Sequence, residues 1–216
     1  MKFIDFFAGV GGFRRGMELA GHECVGFCEF DKFATASYTS MHLLTQEQRE
    51  FLDKMPLKQR QKEILKEEYR NGEWYANDIR RVYAGDIPKA DCWCFGFPCQ
   101  DISVAGKQLG FQGNRSSLFF RVMYLIGQLE EENRPTYLFI ENVKNLLSVN
   151  GGWDFARLLI EMERGGGMMQ NGKCSTPKIS ECHRTEKGVS LSDILEAEAP
   201  QKYFLSKEQT EKIVFK

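Results

Sequence analysis

Apolar positions along this chain fall into two rhythms. Short unbroken runs at residues 3–7, 24–28, 90–95 and 137–140 have the length of buried strands. Between them apolar residues recur at helical spacing. Phe13, Met17 and Ala20 precede Gly21, a candidate C-cap, and residues 117–129 carry a second helical pattern before Pro135. Trp153, Phe155, Leu158, Leu159 and Met162 suit one more helix, which Gly165-Gly166-Gly167 is expected to break. Strands that alternate with helices predict an α/β fold, with a mostly parallel sheet and flanking helices.

One stretch departs from this alternation. Residues 45–72 are strongly charged and glutamine-rich, with Phe51, Leu52, Met55, Leu57, Ile64, Leu65 and Tyr69 as apolar positions. Two exposed helices broken near Pro56 account for it, as a solvated surface insertion.

Composition narrows the class without naming it. The chain has 216 residues, 42% hydrophobic and 27% charged, which suits one well-buried globular domain with a small appendage. Its net charge of −1 leaves any phosphate contact to local patches. No apolar run reaches the length of a membrane span, and residues 1–5 enter the first strand instead of a signal peptide, so a cytoplasmic protein is expected. Seven cysteines without a pairing rhythm suit a reducing compartment, with Cys92 and Cys94 as packing residues. Cys174, Cys182 and His183 match no zinc spacing, and no metal is expected.

Three features carry chemistry. Gly96 and Pro98 end the run at 90–95, so Cys99 opens a loop at a strand's carboxyl end, where open α/β sheets place ligands. A free cysteine is also commonly a small buried hydrophobe, and only its neighbours separate the two readings. The turn Ala8-Gly9-Val10-Gly11-Gly12 joins the first strand to a helix, whose N-terminus offers free N–H groups. Glu29 closes the second strand, positioned to accept hydrogen bonds from a ribose, and Phe30 beside it can stack on adenine. These last two features suit NAD and S-adenosylmethionine equally.

The wording of the motifs goes further. Gly96 to Gln100, with Ser103, Gly106-Lys107-Gln108, Gly110-Phe111, Arg115 and Leu118-Phe119-Phe120, resembles the catalytic loop of DNA (cytosine-5)-methyltransferases. The run from Asp5 to Phe13 resembles that family's S-adenosylmethionine loop, and Glu29 to Ala34 its ribose and adenine segment, with Phe30 where tryptophan is usual. Asp78-Ile79 resembles its adenine-binding pair. Gly85-Asp86-Ile87 is a rival for that place, less favoured because Asp86 stands close before the buried strand and leaves little room for a connection. Glu141-Asn142-Val143 resembles the second catalytic motif.

The resemblance implies a Rossmann-like S-adenosylmethionine-dependent fold over residues 1–164, incomplete on its carboxyl-terminal side, with 165–216 as a poorly defined tail. It implies S-adenosyl-L-methionine as cofactor, held by Phe7, Ala8, Gly9, Val10 and Gly12 of the first loop. Glu29, Phe30, Asp78 and Ile79 would hold its adenosine, and Gly96, Pro98 and Leu118 would complete the pocket. It implies double-stranded DNA as partner, with the target cytosine flipped out of the stack. Cys99 would attack carbon 6, Glu141 contact N3, Arg115 support the base or phosphate, and Gln100 and Ser103 face the DNA.

Beyond Asn145-Leu146-Leu147 the likeness weakens. The family's Gln-Arg-x-Arg segment, target-recognition domain and final helix are not found, while 189–196 and 202–206 look like a piece of the recognition region. An internal deletion and a second polypeptide that supplies those motifs as a partner would each account for this. The rival reading is a catalytically inactive module that binds S-adenosylmethionine and DNA. A nicotinamide-dependent oxidoreductase rests only on the first turn and the ribose acid.

Overall fold

Unbroken apolar runs call for strands covered on both faces, and the full burial of adjacent residues Phe3 and Ile4 in the first strand meets that demand. The structure, a computed structural model, describes residues 1–97, 118–142 and 149–166, and the backbone of a strand at 212–215. The chain divides into two compact units, Met1–Phe95 and Gly96–Lys216.

In the first unit, β1 (Lys2–Phe6) pairs with β2 (Glu23–Cys28) on one side and β4 (Cys92–Gly96) on the other. β3 (Trp74–Ala76) pairs with the far side of β2, and every one of these pairings is parallel, in the order β3-β2-β1-β4. Phe3, Ile4, Phe6 and Phe27 are wholly buried, and the Phe6 ring lies 4.7 Å from that of Trp93. The α/β class read from the sequence is the class observed. The first strand stops one residue short of the expected run, because Phe7 takes a left-handed φ of 54°.

Helix α1 (Gly12–Leu19) follows that turn. Its N-cap, Gly11, has no side chain to offer, and Asp5 from β1 accepts the Arg14 N–H at 3.3 Å in its place. At the other end Gly21, with φ 80°, closes a Schellman motif: its N–H donates to Glu18 and that of His22 to Met17. Arg14, buried, sends a two-pronged fork to Glu73 just ahead of β3, both contacts 2.7 Å, and so ties α1 to the start of that strand.

Helix α2 (Lys32–Tyr38) is capped by Asp31, which accepts from the N–H groups of Phe33 and Ala34. It runs on into a π turn, Thr39–Leu43. The charged insertion then forms α3 (Gln46–Asp53) and α4 (Leu57–Glu63), separated at Pro56 as expected. It is less wet than its composition suggests. Leu52, Ile64 and Tyr69 are buried together against Ala36, Leu44, Met55 and Leu65, while Phe51 and Leu57 remain exposed.

The second unit contains α5 (Leu118–Gln128), β5 (Tyr137–Glu141) and α6 (Trp153–Gly166). α6 ends at Gly166, within the glycine run expected to break it. A strand that the sequence reading missed, β6 (Lys212–Phe215), lies antiparallel to β5, pairing Leu138 with Phe215 and Glu141 with Lys212. Its signal was the short apolar run Ile213-Val214-Phe215. No helix among the described residues is long and apolar enough to cross a membrane.

Candidate active site

Two of the sequence motifs meet at the carboxyl ends of β1 and β2. The Gly9 N–H donates to Oε2 of Glu29 at 2.7 Å, and the Asp31 N–H donates to Oε1 at the same distance. Each carboxylate oxygen therefore spends one acceptor position on the backbone and keeps one. Two acceptors on one rigidly held carboxylate suit a pair of neighbouring hydroxyls. The Ala8 N–H, bonded to the Cys28 carbonyl, fixes the loop to β2.

The loop conformation explains its residues. Gly9 and Gly11 have φ of 55° and 88°, a region that disfavours any side chain. A methyl group on Gly11 would also run into the rings of His42 and Tyr38. His42 donates from Nε2 to the Val10 carbonyl at 2.9 Å, so the π turn after α2 braces the glycine loop. Nothing in the sequence announced His42, because its role depends on a helix register set 30 residues later. Phe7 is the non-glycine exception to the loop's backbone rule, and residues held in sparsely populated conformations gather at functional sites.

Phe30 is 72% exposed and Val10 54%, large apolar groups left facing outward beside the Glu29 carboxylate. Asp78 is buried and caps a short 3₁₀ turn, Ile79–Arg81, with Ile79 buried next to it. Asp86, the alternative considered for that position, is exposed. The Arg80 hydrogen bonds hold the Asp78 carboxyl below the usual carboxylate range. Gly12 is exposed at the start of α1, and Ala8 is buried.

In the second unit Glu141 ends β5, half-buried. Its Oε2 lies so close to Gly96 that a Cβ there would approach it to 2.9 Å. Asn142 donates its side-chain amide to the Phe97 carbonyl at 2.7 Å. Phe97 in turn packs its ring 5.0 Å from Phe119, one residue into α5 after Leu118. Gly96, Phe97, Glu141 and Asn142 thus form one group. Pro98, Cys99, Gln100, Ser103 and Arg115 lie outside the described residues.

The sequence profile described as C-5 cytosine-specific DNA methylase matches residues 1–65 and 54–167. The chain belongs to this family. Type II methyltransferase M.HhaI of Haemophilus parahaemolyticus is 36% identical over 152 residues, which cover 70% of this chain and 36% of that protein. M.DsaV of Dactylococcopsis salina is 32% identical over 164 residues, 76% of this chain and 37% of the relative. M.HaeII of Haemophilus aegyptius is 29% identical over 229 residues, 96% of this chain and 62% of the relative. The chain thus spans less than two thirds of each. Among solved structures, the S. pombe Dnmt2 methyltransferase covers 74% of this chain and 41% of its own, with TM-score 0.49 and 18% identity, too slight a likeness to add to the family match.

Among the described residues the four cysteines, Cys24, Cys28, Cys92 and Cys94, are buried and form no disulfide. Burial pushes the Cys24 thiol up to about 11 and the Cys28 thiol up to about 12. Burial likewise raises Cys94. These three remain protonated near neutrality, and a protonated thiol is a poor nucleophile.

Proposed function

We propose that this chain carries the cofactor site and nucleophile of a DNA (cytosine-5)-methyltransferase, acting on a cytosine flipped out of double-stranded DNA. The observation that carries the reading is the seating of the Glu141 carboxylate against Gly96, three residues before Cys99, in a chain whose family is established.

S-Adenosyl-L-methionine, when bound, supplies a methyl group on a sulfonium, an electrophile that carbon 5 of cytosine is too poor a nucleophile to accept unaided. Cys99 overcomes this by adding its thiolate to carbon 6, forming an S–C6 bond and moving electron density onto carbon 5 and N3. Glu141 hydrogen-bonds the base at N3 and its exocyclic amine, stabilising that charge. Once carbon 5 carries the methyl group, the sulfonium's S–CH3 bond having broken to leave S-adenosylhomocysteine, the carbon 5 proton leaves to solvent, the S–C6 bond breaks and the thiolate is restored. Arg115 supports the base or its phosphate, and Gln100 and Ser103 face the duplex.

The cofactor residues fit the group. Glu29 keeps one acceptor on each oxygen for the ribose diol, Gly9 brings the backbone close, and Phe7 and Val10 line the loop. Phe30 offers an exposed aromatic face to the adenine, with Asp78 and Ile79 beside it.

The test is to incubate the protein with the cofactor and a duplex carrying 5-fluorocytosine, in which the blocked carbon 5 cannot release a proton and the adduct is trapped. A denaturation-resistant protein–DNA adduct is expected, and Cys99→Ser abolishes it. Retained binding of S-adenosylhomocysteine without any adduct would replace the enzyme with a binding module that needs a second polypeptide. Binding of NAD in preference to S-adenosylhomocysteine would overturn the cofactor.

A further inference from the structure

Arg80 occupies the ground between the two groups assigned to adenine. Its Nε lies 2.8 Å from Asp78 Oδ1 and its Nη2 2.8 Å from Oδ2, while its own backbone N–H takes Oδ1 as well, at 3.0 Å. Both acceptor positions of Oδ1 are thereby used, and Oδ2 has one left. The same guanidinium carbon stands 5.5 Å from the Phe30 ring centroid. A flat cation that donates N–H bonds to Asp78 while lying near Phe30 does what a purine with an exocyclic amine would do in the same place.

We propose that Arg80 is an internal competitor for the adenine amino group, holding Asp78 in the free protein and surrendering it when the purine settles on Phe30. The inference rests on the cofactor reading above. The Arg80 side chain is 57% exposed whereas that of Asp78 is 9% exposed, so the arginine can swing into water without opening a cavity. Displacement then costs cofactor affinity. Because one partner is solvated, the ion pair is screened by salt, and the competition weakens as ionic strength rises.

S-Adenosylhomocysteine is titrated by calorimetry into the full chain, Arg80→Ala and Arg80→Gln, at low and high salt. Arg80→Ala is expected to bind roughly three- to tenfold tighter than the parent at low salt. The parent should tighten with rising salt more steeply than the variant, in which, among the described residues, only Arg81, its Nε 4.0 Å from Asp78 Oδ2, still pairs with the carboxylate. A purely structural role for Arg80 would not produce that salt dependence. Arg80→Gln, which keeps most of the side-chain volume, decides the matter if the alanine variant misfolds by circular dichroism. Equal or weaker binding by the folded variants overturns the inference while leaving the cofactor site intact. Failure of every protein to bind S-adenosylhomocysteine overturns the cofactor site, and the inference with it.

Discussion

Asn142 donates to the carbonyl of Phe97 at 2.7 Å, pinning the backbone two residues before Cys99 to the end of β5. The residue beside it, Glu141, is the one that meets the base in the proposed reaction. That hydrogen bond therefore ties the backbone leading toward Cys99, the proposed nucleophile, to the strand end that carries Glu141.

Removing that bond should slow the chemistry without emptying the cofactor site. Asn142→Ala is expected to reduce the rate of adduct formation with 5-fluorocytosine DNA by about 10- to 100-fold, the kinetic equivalent of one half-buried hydrogen bond. S-Adenosylhomocysteine affinity, measured in parallel, should stay within about twofold of the parent. Equal loss of both would mean that Asn142 supports the fold instead of the loop.

Two glycines that both lack room for a methyl group should respond in opposite ways. At Gly26 an added Cβ would lie 2.7 Å from the Trp74 carbonyl oxygen and 2.8 Å from its Cβ, inside the β2–β3 pair, where nothing can yield. Gly26→Ala is expected to cost about 1–3 kcal/mol by urea unfolding. At Gly96 the obstacle is the far end of the Glu141 side chain, which can swing away. Gly96→Ala should lose less than about 1 kcal/mol yet abolish most adduct formation, because the carboxylate is what moves. A stable Gly96→Ala protein with parental activity would separate Glu141 from the reaction.

Stability should fall in alkaline solution. Cys24 and Cys28 ionise near 9.0 when exposed, but burial raises them to about 11 and about 12 in the folded protein. Between those values the unfolded chain has already lost protons that the native state still holds, so rising pH favours unfolding. The contribution is fully present below pH 9 and is lost as pH climbs through 11 to 12. Tyr38, raised in the same direction by burial, adds to it. Urea unfolding at half-unit steps from pH 8 should show a decline on the order of a few kcal/mol, shallower in Cys28→Ala. A flat profile would mean that these thiols are more solvated than their burial implies.

The alternation of apolar runs and helical patterns was enough to determine the α/β class, the glycine loop after β1 and the acids ending β2 and β5. Buried parallel strands need continuous apolar runs, and their carboxyl ends are where polar residues can begin. The break at Pro56 was equally legible, since proline restricts the residues around it whatever the surroundings. Composition misjudged the insertion, because the small core of Leu52, Ile64 and Tyr69 forms only when two charged helices fold back together. The end of α6 was legible too, since it falls within the run Gly165-Gly166-Gly167, after Phe155, Leu158 and Met162 have supplied its buried face. Only the tertiary structure decided that Gly9 meets Glu29 across 20 residues and that Asn142 meets Phe97 across 45. It alone put Arg80 between Asp78 and Phe30. Periodicity along a chain reports which face of an element is dry. Which donor meets which acceptor depends on how strands stand side by side, and hydrogen bonds between distant residues leave no rhythm in the sequence.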